Sequence, residues 1–501
     1  MVNINKTFGD DWSLNANIGA SINNIKTDEL SYRGPIQENG LPNVFNVFDL
    51  DDTKKRAEKT GWHDQTQSLF ASVEVGWRQM LYLTVTGRND WASQLANSPS
   101  SSFFYPSVGL SWVPTSTWDL GEALSYLKIR GSIASVGMPF PRHLTIPTYE
   151  YDATNRVWKD KTHYPIGDLK PERTTTYEVG LDARLWQRIS LSASWYQADT
   201  KNQTFDPSLP PSSSYTTIYL QTGHVRNTGV ELSAGYDNQW RDFRWATNFT
   251  YSWNRNEIIE LAANAVNPVT GEPLNLNKLD IKGLGKAKYI LKEGGTLGDL
   301  YTTSDLRFND NGYIEVDKNG NLLLTDEGDD IYLGSVFPDH NLAWRNDFSW
   351  KGINLGVLFT ARIGGICYSA TQANMDLYGV SEASAAARDA GGVWINGREL
   401  VDAQKWYQAI GSQSGLPQYY TYSATNIRLQ ELSLGYTLPA KWFRDKMRMT
   451  VSFVGRNLWM IYCKAPFDPE AVASTGLNYQ GIDYFMMPSL RSLGFNVKFQ
   501  F

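Results

Sequence analysis

The final stretch of the chain, 490–501, reads L-R-S-L-G-F-N-V-K-F-Q-F, and from Leu493 it alternates without a break. Leu493, Phe495, Val497, Phe499 and Phe501 fall on one face, and Gly494, Asn496, Lys498 and Gln500 on the other. A side-chain period of two is that of a β-strand, here with one apolar and one polar side. The same period recurs upstream. Val179, Leu181, Ala183 and Leu185 oppose Glu178, Gly180, Asp182 and Arg184, and Phe243, Trp245, Phe249, Tyr251 and Trp253 oppose Arg244, Asn248, Thr250 and Ser252. It predicts strands at 2–8, 12–24, 66–77, 81–89, 103–113, 127–137, 174–185, 189–200, 225–236, 243–256, 341–350, 353–364, 426–438, 447–459 and 490–501, about 15 in all. Within 426–438 the phase slips at Gln430–Glu431, which predicts a β-bulge.

The connections between these strands alternate between short and long. Tight turns at 9–11, 78–80, 186–188, around Trp240 and at 351–352 alternate with long stretches at 25–65, 90–102, 138–173, 201–224, 257–339, 367–424 and 460–489. Hairpins of a soluble sandwich have no reason to sort this way. An outer-membrane barrel does, with short turns at the periplasmic end and long loops at the cell surface. Counting back from a periplasmic C-terminus places every long loop outside. Inside the loops, the run D-D-T-K-K-R-A-E-K at 51–59 reads as a short surface helix, and 207–214 as a Pro/Ser-rich loop.

Composition narrows what the apolar face meets. Aromatic residues make up 13% of the chain, with 18 Trp and 27 Tyr, side chains that favour membrane–water interfaces. Trp12, Trp77, Trp112, Trp186, Trp240, Trp350 and Trp442 lie by the short connections, and Trp91, Trp195, Trp253 and Trp459 by the long ones, which predicts two aromatic girdles. Charges sit on the opposite face, where a wet lumen suits them; an Arg or Lys on a lipid face at mid-membrane costs about 2–4 kcal/mol. No run of about 18 apolar residues exists, which excludes a membrane-spanning helix but not a barrel. The net charge of −6 gives no sign of a nucleic-acid partner. The opening, M-V-N-I-N-K-T-F, has neither a basic segment nor an apolar export core. Since a barrel protein must be exported, the expectation is a piece of a longer chain, with unpaired first and last strands that prevent stable closure.

Few residues offer chemistry. Asp317, Asn319 and Asn321 stand at alternate positions of V-D-K-N-G-N-L-L-L-T-D-E-G-D-D, as oxygen ligands do at the start of a calcium loop. However, Leu322 and Gly328 occupy the places where such a loop needs glycine and a bidentate acid, so a solvated acidic turn competes with calcium binding. Trp394, Trp406, Tyr407, Tyr419 and Tyr420 lie in a long loop and are candidates for stacking on sugar faces, or for anchoring loops to one another. Cys367 and Cys463, both near the outer ends of strands, are either a surface disulfide or two free thiols. The five His are scattered singly, and no nucleophile or metal constellation accompanies the many carboxylates, so the chain does not read as an enzyme. A secreted all-β glycan-active enzyme and a passive outer-membrane pore or structural surface barrel remain as alternatives.

Seven strings then occur in a recognisable order: G-R-N-D-W (87–91), F-F-Y-P-S-V-G-L-S-W (103–112), L-K-I-R-G-S-I-A-S-V-G (127–137), L-K-P-E-R-T-T-T-Y-E-V-G-L (169–181), N-T-G-V-E-L (227–232), L-Q-E-L-S-L-G-Y-T-L-P (429–439) and V-G-R-N-L-W (454–459). The set resembles the SusC/RagA-like TonB-dependent outer-membrane transporters of Bacteroidetes. The resemblance implies an all-β fold: a transmembrane antiparallel β-barrel of about 22 strands, with the first strands, the plug and the TonB-contacting segment outside this sequence. It also implies import of oligosaccharides or peptides beneath a SusD-like surface lipoprotein lid, driven by TonB. It makes the terminal aromatics Phe495, Phe499 and Phe501 the signal read by the barrel assembly machinery. No cofactor is implied, calcium being the one ion the residues themselves suggest.

Overall fold

The computed structural model describes every residue except 40–43, 45, 147–148, 153–155, 161–162, 165, 168, 206–216, 262–277, 327, 475, 477–478 and 501. The calls on 207–214 and on Phe501 therefore lie outside the described residues. Fifteen strands form the main sheet: β1 Val2–Phe8, β2 Trp12–Arg33, β3 Arg56–Trp77, β4 Leu81–Ala92, β5 Phe103–Trp112, β6 Leu124–Met138, β7 Glu172–Leu185, β8 Ile189–Phe205, β9 Leu220–Trp240, β10 Phe243–Glu260, β11 His340–Trp350, β12 Ile353–Ile363, β13 Asn426–Thr437, β14 Arg448–Cys463 and β15 Ser492–Gln500. Each strand lies beside its sequence neighbours, so the order in the sheet is the order in the chain. The ladders are antiparallel, with registers such as Phe8↔Trp12, Trp12↔Trp77, Trp240↔Phe243 and Trp350↔Ile353 closing the short turns.

All fifteen predicted strands are present, and the slip in β13 is a bulge. Leu358 pairs with Glu431 and Phe359 with Leu429, leaving Gln430 outside the ladder. Its Nε2 donates to Asn457 Oδ1 at 2.7 Å, and Asn457 itself has a positive φ of 52°. The extra residue returns Leu432 and Leu434 to the apolar face while leaving Glu431 on the polar one.

Several strands run on past the predicted ends. β2 and β3 pair without a break to Arg33↔Arg56, through much of the expected loop 25–65. There both faces are wet, so apolar alternation ends, yet the backbone ladder continues. The expected helix at 51–59 is absent. Asp51 instead accepts from Thr53 N (2.9 Å) and Thr53 Oγ1 (2.6 Å) in a turn, and Ala57, Glu58 and Lys59 pair with Tyr32, Ser31 and Leu30. Pairing overrides a helical composition.

Contact density divides the chain into two units. The first comprises Met1–Leu110, Ser132–Thr175 and Thr200–Gly223. Among its described residues a small apolar core is formed by Ala92, Leu95, Phe140, Leu144 and Leu169, with Phe103, Ile166 and Tyr219 packed against it. The second comprises Ser111–Gly131, Thr176–Asp199 and His224–Phe501, and contains every helix of eight residues.

The faces of the strands match the prediction for lipid on one side. Leu69, Val73, Leu83, Val85, Phe104, Val108, Leu110, Val179, Leu232, Leu434 and Phe495 are all exposed, and none of the eleven girdle Trp is buried. A soluble core would have covered them. Substituting Leu181→Arg, on this face of β7, is expected to lower stability by about 2–4 kcal/mol in lipid vesicles. Thr250→Arg, on the polar face of β10, is expected to change it by no more than about 0.5 kcal/mol. Equilibrium unfolding of the reconstituted protein reads both.

Candidate functional site

Two surfaces carry functional groups. The first is the polar face of the sheet, laid out as ion-pair networks. In the first unit Arg88 Nε reaches Asp90 (2.7 Å) and its Nη2 reaches Ser68 Oγ (2.8 Å), while the Tyr105 hydroxyl donates to Asp90 at 2.6 Å. Further along that unit, Arg142 grips Asp64 through Nε and Nη2 (3.1 and 2.7 Å) and lies 3.7 Å over the Trp62 ring. In the second unit Arg130 bridges Glu178 (3.3 Å) and Asp182 (2.7 Å), and Arg345 holds Asp347 (2.8 Å) and Glu431 (3.3 Å), with Arg456 on the other oxygen of Glu431 (3.1 Å). Arg88–Ser68, Tyr105–Asp90, Arg130–Asp182 and Arg456–Glu431 join neighbouring strands, Arg345 reaches Glu431 across β12, and Arg142 comes from the connection after β6. In the second unit the cations are partly exposed, so their pairs contribute modestly to stability, whereas Asp64, Ser68 and Asp90 of the first unit are buried. Within each unit these groups give the polar face a wet, charge-patterned wall.

The second surface is a platform in the second unit, built from the three connections after β10, β12 and β13–β14. Four strands, Lys278–Leu284, Ala287–Lys292, Asp299–Thr302 and Ile331–Ser335, form one small sheet. Another joins Ile366–Ser369 to Thr421–Ser423 and to Ile482–Asp483. Helices α1 Ala370–Leu377, α2 Glu382–Asp389 and α3 Ala403–Ile410 pack beside them, each begun by a side-chain cap from Ser369, Ser381 or Asp402. Leu279, Tyr289, Ile290, Leu291, Leu300 and Leu306 are buried within the platform. Hydrogen bonds weld the three connections together: Tyr289 to Gln480 O, Lys286 N to Gln413 O (2.9 Å), Asn396 to both N and O of Ile314 (2.8 and 2.9 Å), and Ser369 Oγ to Asp483 (2.6 Å).

The five loop aromatics divide. Trp394, 65% exposed, sits with Leu400 across a hairpin of Val393–Ile395 and Glu399–Val401, both pointing away from buried Ile395 and Val401. Trp406 and Tyr407 lie on α3. Trp406 packs edge-on to Tyr419 at 6.1 Å, so these two hold α3 to the turn Pro417–Tyr420. Tyr420 is 2% exposed and has no free face for a sugar; it is a core residue of the platform. Burial, with the charge of Asp305 behind it, pushes the Tyr419 hydroxyl up to about 12. Of the predicted stacking set, only Trp394 presents a broad open ring.

The carboxylate of Asp317 is taken up inside its own turn, accepting from Asn319 N, Asn321 N and Asn321 Nδ2, each at 2.8 Å. Those bonds, the Asn321 ones foremost, hold Asp317 below the usual carboxylate range. Asn319 O accepts from Lys405 Nζ, which places a cation where a calcium ion would compete. Among the described residues no three His, Cys, Asp or Glu converge on a metal-sized site. Cys367 and Cys463 are free thiols; Cys367 is buried, and burial pushes its pKa up to about 12. Phe495 and Phe499 lie exposed on β15, with Phe495 edge-on to Phe453 at 5.6 Å.

These features, strands with lipid-facing girdles and a packed platform beyond one end, meet a direct match. The profile of the family "TonB dependent receptor-like, beta-barrel" fits residues 1–358. The chain belongs to the TonB-dependent receptors. That family consists of outer-membrane β-barrel receptors and transporters, not enzymes. TonB-dependent receptor P3 of Formosa agariphila is 24% identical over 96% of this chain and 49% of its own length. TonB-dependent receptor SusC of Bacteroides thetaiotaomicron is 22% identical over 75% of this chain and 38% of its own. The chain thus spans half or less of the length of these relatives. The RagAB peptide importer in its open-open state shares the fold, with a TM-score of 0.72 over 99% of this chain and 53% of that one, at 18% identity. The seven strings resemble the SusC/RagA-like members of that family, and the receptor is similar in sequence to SusC and in fold to the RagAB importer.

Alternating periodicity located the polar wall but not the welds of the receptor's platform, whose partners lie as far apart as Tyr289 and Gln480. Within the connection after β10, an ion-pair cluster of the platform makes a pH-dependent contribution. Burial opposes the charge of Asp330, but Lys278 (2.9 Å) and Lys292 (2.9 Å) outweigh it and hold the carboxyl below its ordinary 3.8. A depressed folded value stabilises the platform above pH 3.8, and that contribution is lost as pH falls through the folded value. Hydrogen exchange at Lys278–Leu284 is expected to speed up below that pH, and Asp330→Asn is expected to remove the dependence.

Proposed function

We propose that this receptor imports oligosaccharides or peptides through the outer membrane, beneath a SusD-like lipoprotein lid, with TonB acting on a plug that the rest of the protein supplies. The observation that carries the reading is the platform. Three insertions fold into one welded body with its own core, which a bare pore has no need for and a lid does. On this reading the platform and long connections face outward, and the C-terminal end of β15 faces the periplasm. The reading is supported by the SusC and RagAB likenesses, the latter titled a peptide importer. The polar wall then serves as the surface against which the plug rests, its paired charges offering hydrogen-bond partners without an unpaired charge in the lumen.

Deleting the receptor from its bacterium is expected to abolish growth on one class of polymer, glycan or peptide, while growth on the free monosaccharides or amino acids persists. Unchanged growth on both classes would refute import and favour a structural barrel. Uptake that continues after loss of TonB would instead favour a passive pore. For the lid, Trp394 and Leu400 form an exposed apolar pair of the kind that anchors protein interfaces. Trp394→Ala with Leu400→Ala is expected to weaken capture of the co-expressed lipoprotein about tenfold in a pull-down titration.

A further inference from the structure

The short turns of the second unit share a feature that transport does not explain. The turns that join β7 to β8, β9 to β10, β11 to β12 and β13 to β14 all lie at one end of the sheet, and successive ones are two strands, or about 10 Å, apart. Each places a Trp within two residues of a cation: Trp186 with Arg188, Trp240 with Arg241, Trp350 with Lys351, and Trp442 with Lys441 and Arg444. Lys446 adds a sixth cation, against only two acids in these turns, Asp242 and Asp445. All six cations are exposed, and among the described residues none enters an ion pair. The four Trp are exposed as well. The first unit, by itself, places Arg78 5.1 Å over Trp77, although there the cation is also paired with Asp11 at 2.9 Å.

The backbone supports a role beyond solubility. Two-residue hairpin turns favour Asn and Gly because their residues need positive φ. Here Trp186, Gln187, Arg241, Lys351 and Arg444 take φ of 48°, 57°, 52°, 46° and 55°. Large side chains are kept where small ones would be less strained. Any polar residue of either sign would keep these turns wet. A row of one sign, each member beside an indole that seeks the headgroup level, does something narrower. Lys351 lies 5.6 Å over Trp350, which holds its ammonium at the depth of that ring.

We propose that this rim is a binding surface for anionic phospholipid headgroups of the leaflet it meets. The proposal rests on the apolar face of the strands lying in lipid, and not on which leaflet is periplasmic. Each Trp anchors its turn at the interface, and the adjoining cation meets a phosphate from the lipid beside it. Lipids of that charge therefore collect around the receptor as a shell.

The test reconstitutes the receptor at its full natural length in vesicles of phosphatidylcholine mixed equally with phosphatidylglycerol, and counts the lipid retained after extraction by native mass spectrometry. Phosphatidylglycerol is expected to be retained over phosphatidylcholine by about tenfold or more. The combined variant R188Q/R241Q/K351Q/K441Q/R444Q/K446Q is expected to lose that preference. The charge-keeping R188K/R241K/R444K and the control K318Q/K464Q, whose cations lie in the long connections, are expected to keep it. Equal retention of the two lipids by the natural receptor, or an undiminished preference in the sixfold variant, overturns the proposal. Should the sixfold variant fail to insert, salt decides: a preference in the natural receptor that does not fall with rising salt also overturns it. A natural receptor that does not enter vesicles at all would refute the lipid reading of the apolar face instead.

Discussion

The structure depends on one constraint: a backbone that crosses lipid must satisfy its N–H and C=O groups within itself. The receptor meets it with a ladder in which each strand lies beside its sequence neighbours. Order in the sheet equal to order in the chain is the arrangement that short turns permit, and short turns keep unpaired backbone out of the hydrocarbon. The bulge at Gln430 is the exception that illustrates the rule, since the residue left out of the ladder finds a side-chain partner in Asn457. β1 and β15 end the order with one neighbour each, and both are exposed along nearly their whole length.

Once the backbone is satisfied, the side chains divide by solvent. Lipid takes the apolar side of each strand, so residues that would form a core in water stand exposed here. The charged side is free to carry function, and the Arg–carboxylate networks show how it is organised: cations pair with acids on their own strand, the next strand or one further, as Arg345 does with Asp347 and Glu431. Beyond the membrane the rule reverts. The platform builds a buried core, caps its helices, and ties distant connections together by side-chain and backbone hydrogen bonds, as a water-soluble domain does. The two regimes meet within single strands. β2 and β3 leave the zone where one face must be apolar and continue as a ladder wet on both sides, ending in the Arg33–Glu58 pair.

That transition explains what could be read from the residues alone. The membrane-crossing strands were legible in full, because lipid on one side and water on the other impose a period of two that the chain must display. The short turns, the slip at Gln430–Glu431 and the two belts of Trp follow from the same asymmetry. Where both sides are wet the asymmetry ends, so the pattern stops β2 short of Arg33, starts β3 after Arg56, and leaves the charged run 51–59 looking like a helix. Among the aromatics, sequence could not separate an open ring from a buried one. Trp394 and Tyr420 look alike in a polar loop, and only packing leaves the first exposed and encloses the second. Likewise Asp317 has ligand-like spacing, but its donors come from its own turn. By itself, then, the sequence determined which segments cross the membrane and which face each residue takes, since those are local consequences of a two-sided solvent. The tertiary structure decided how three insertions form one platform, because contacts between residues nearly two hundred positions apart leave no periodic trace.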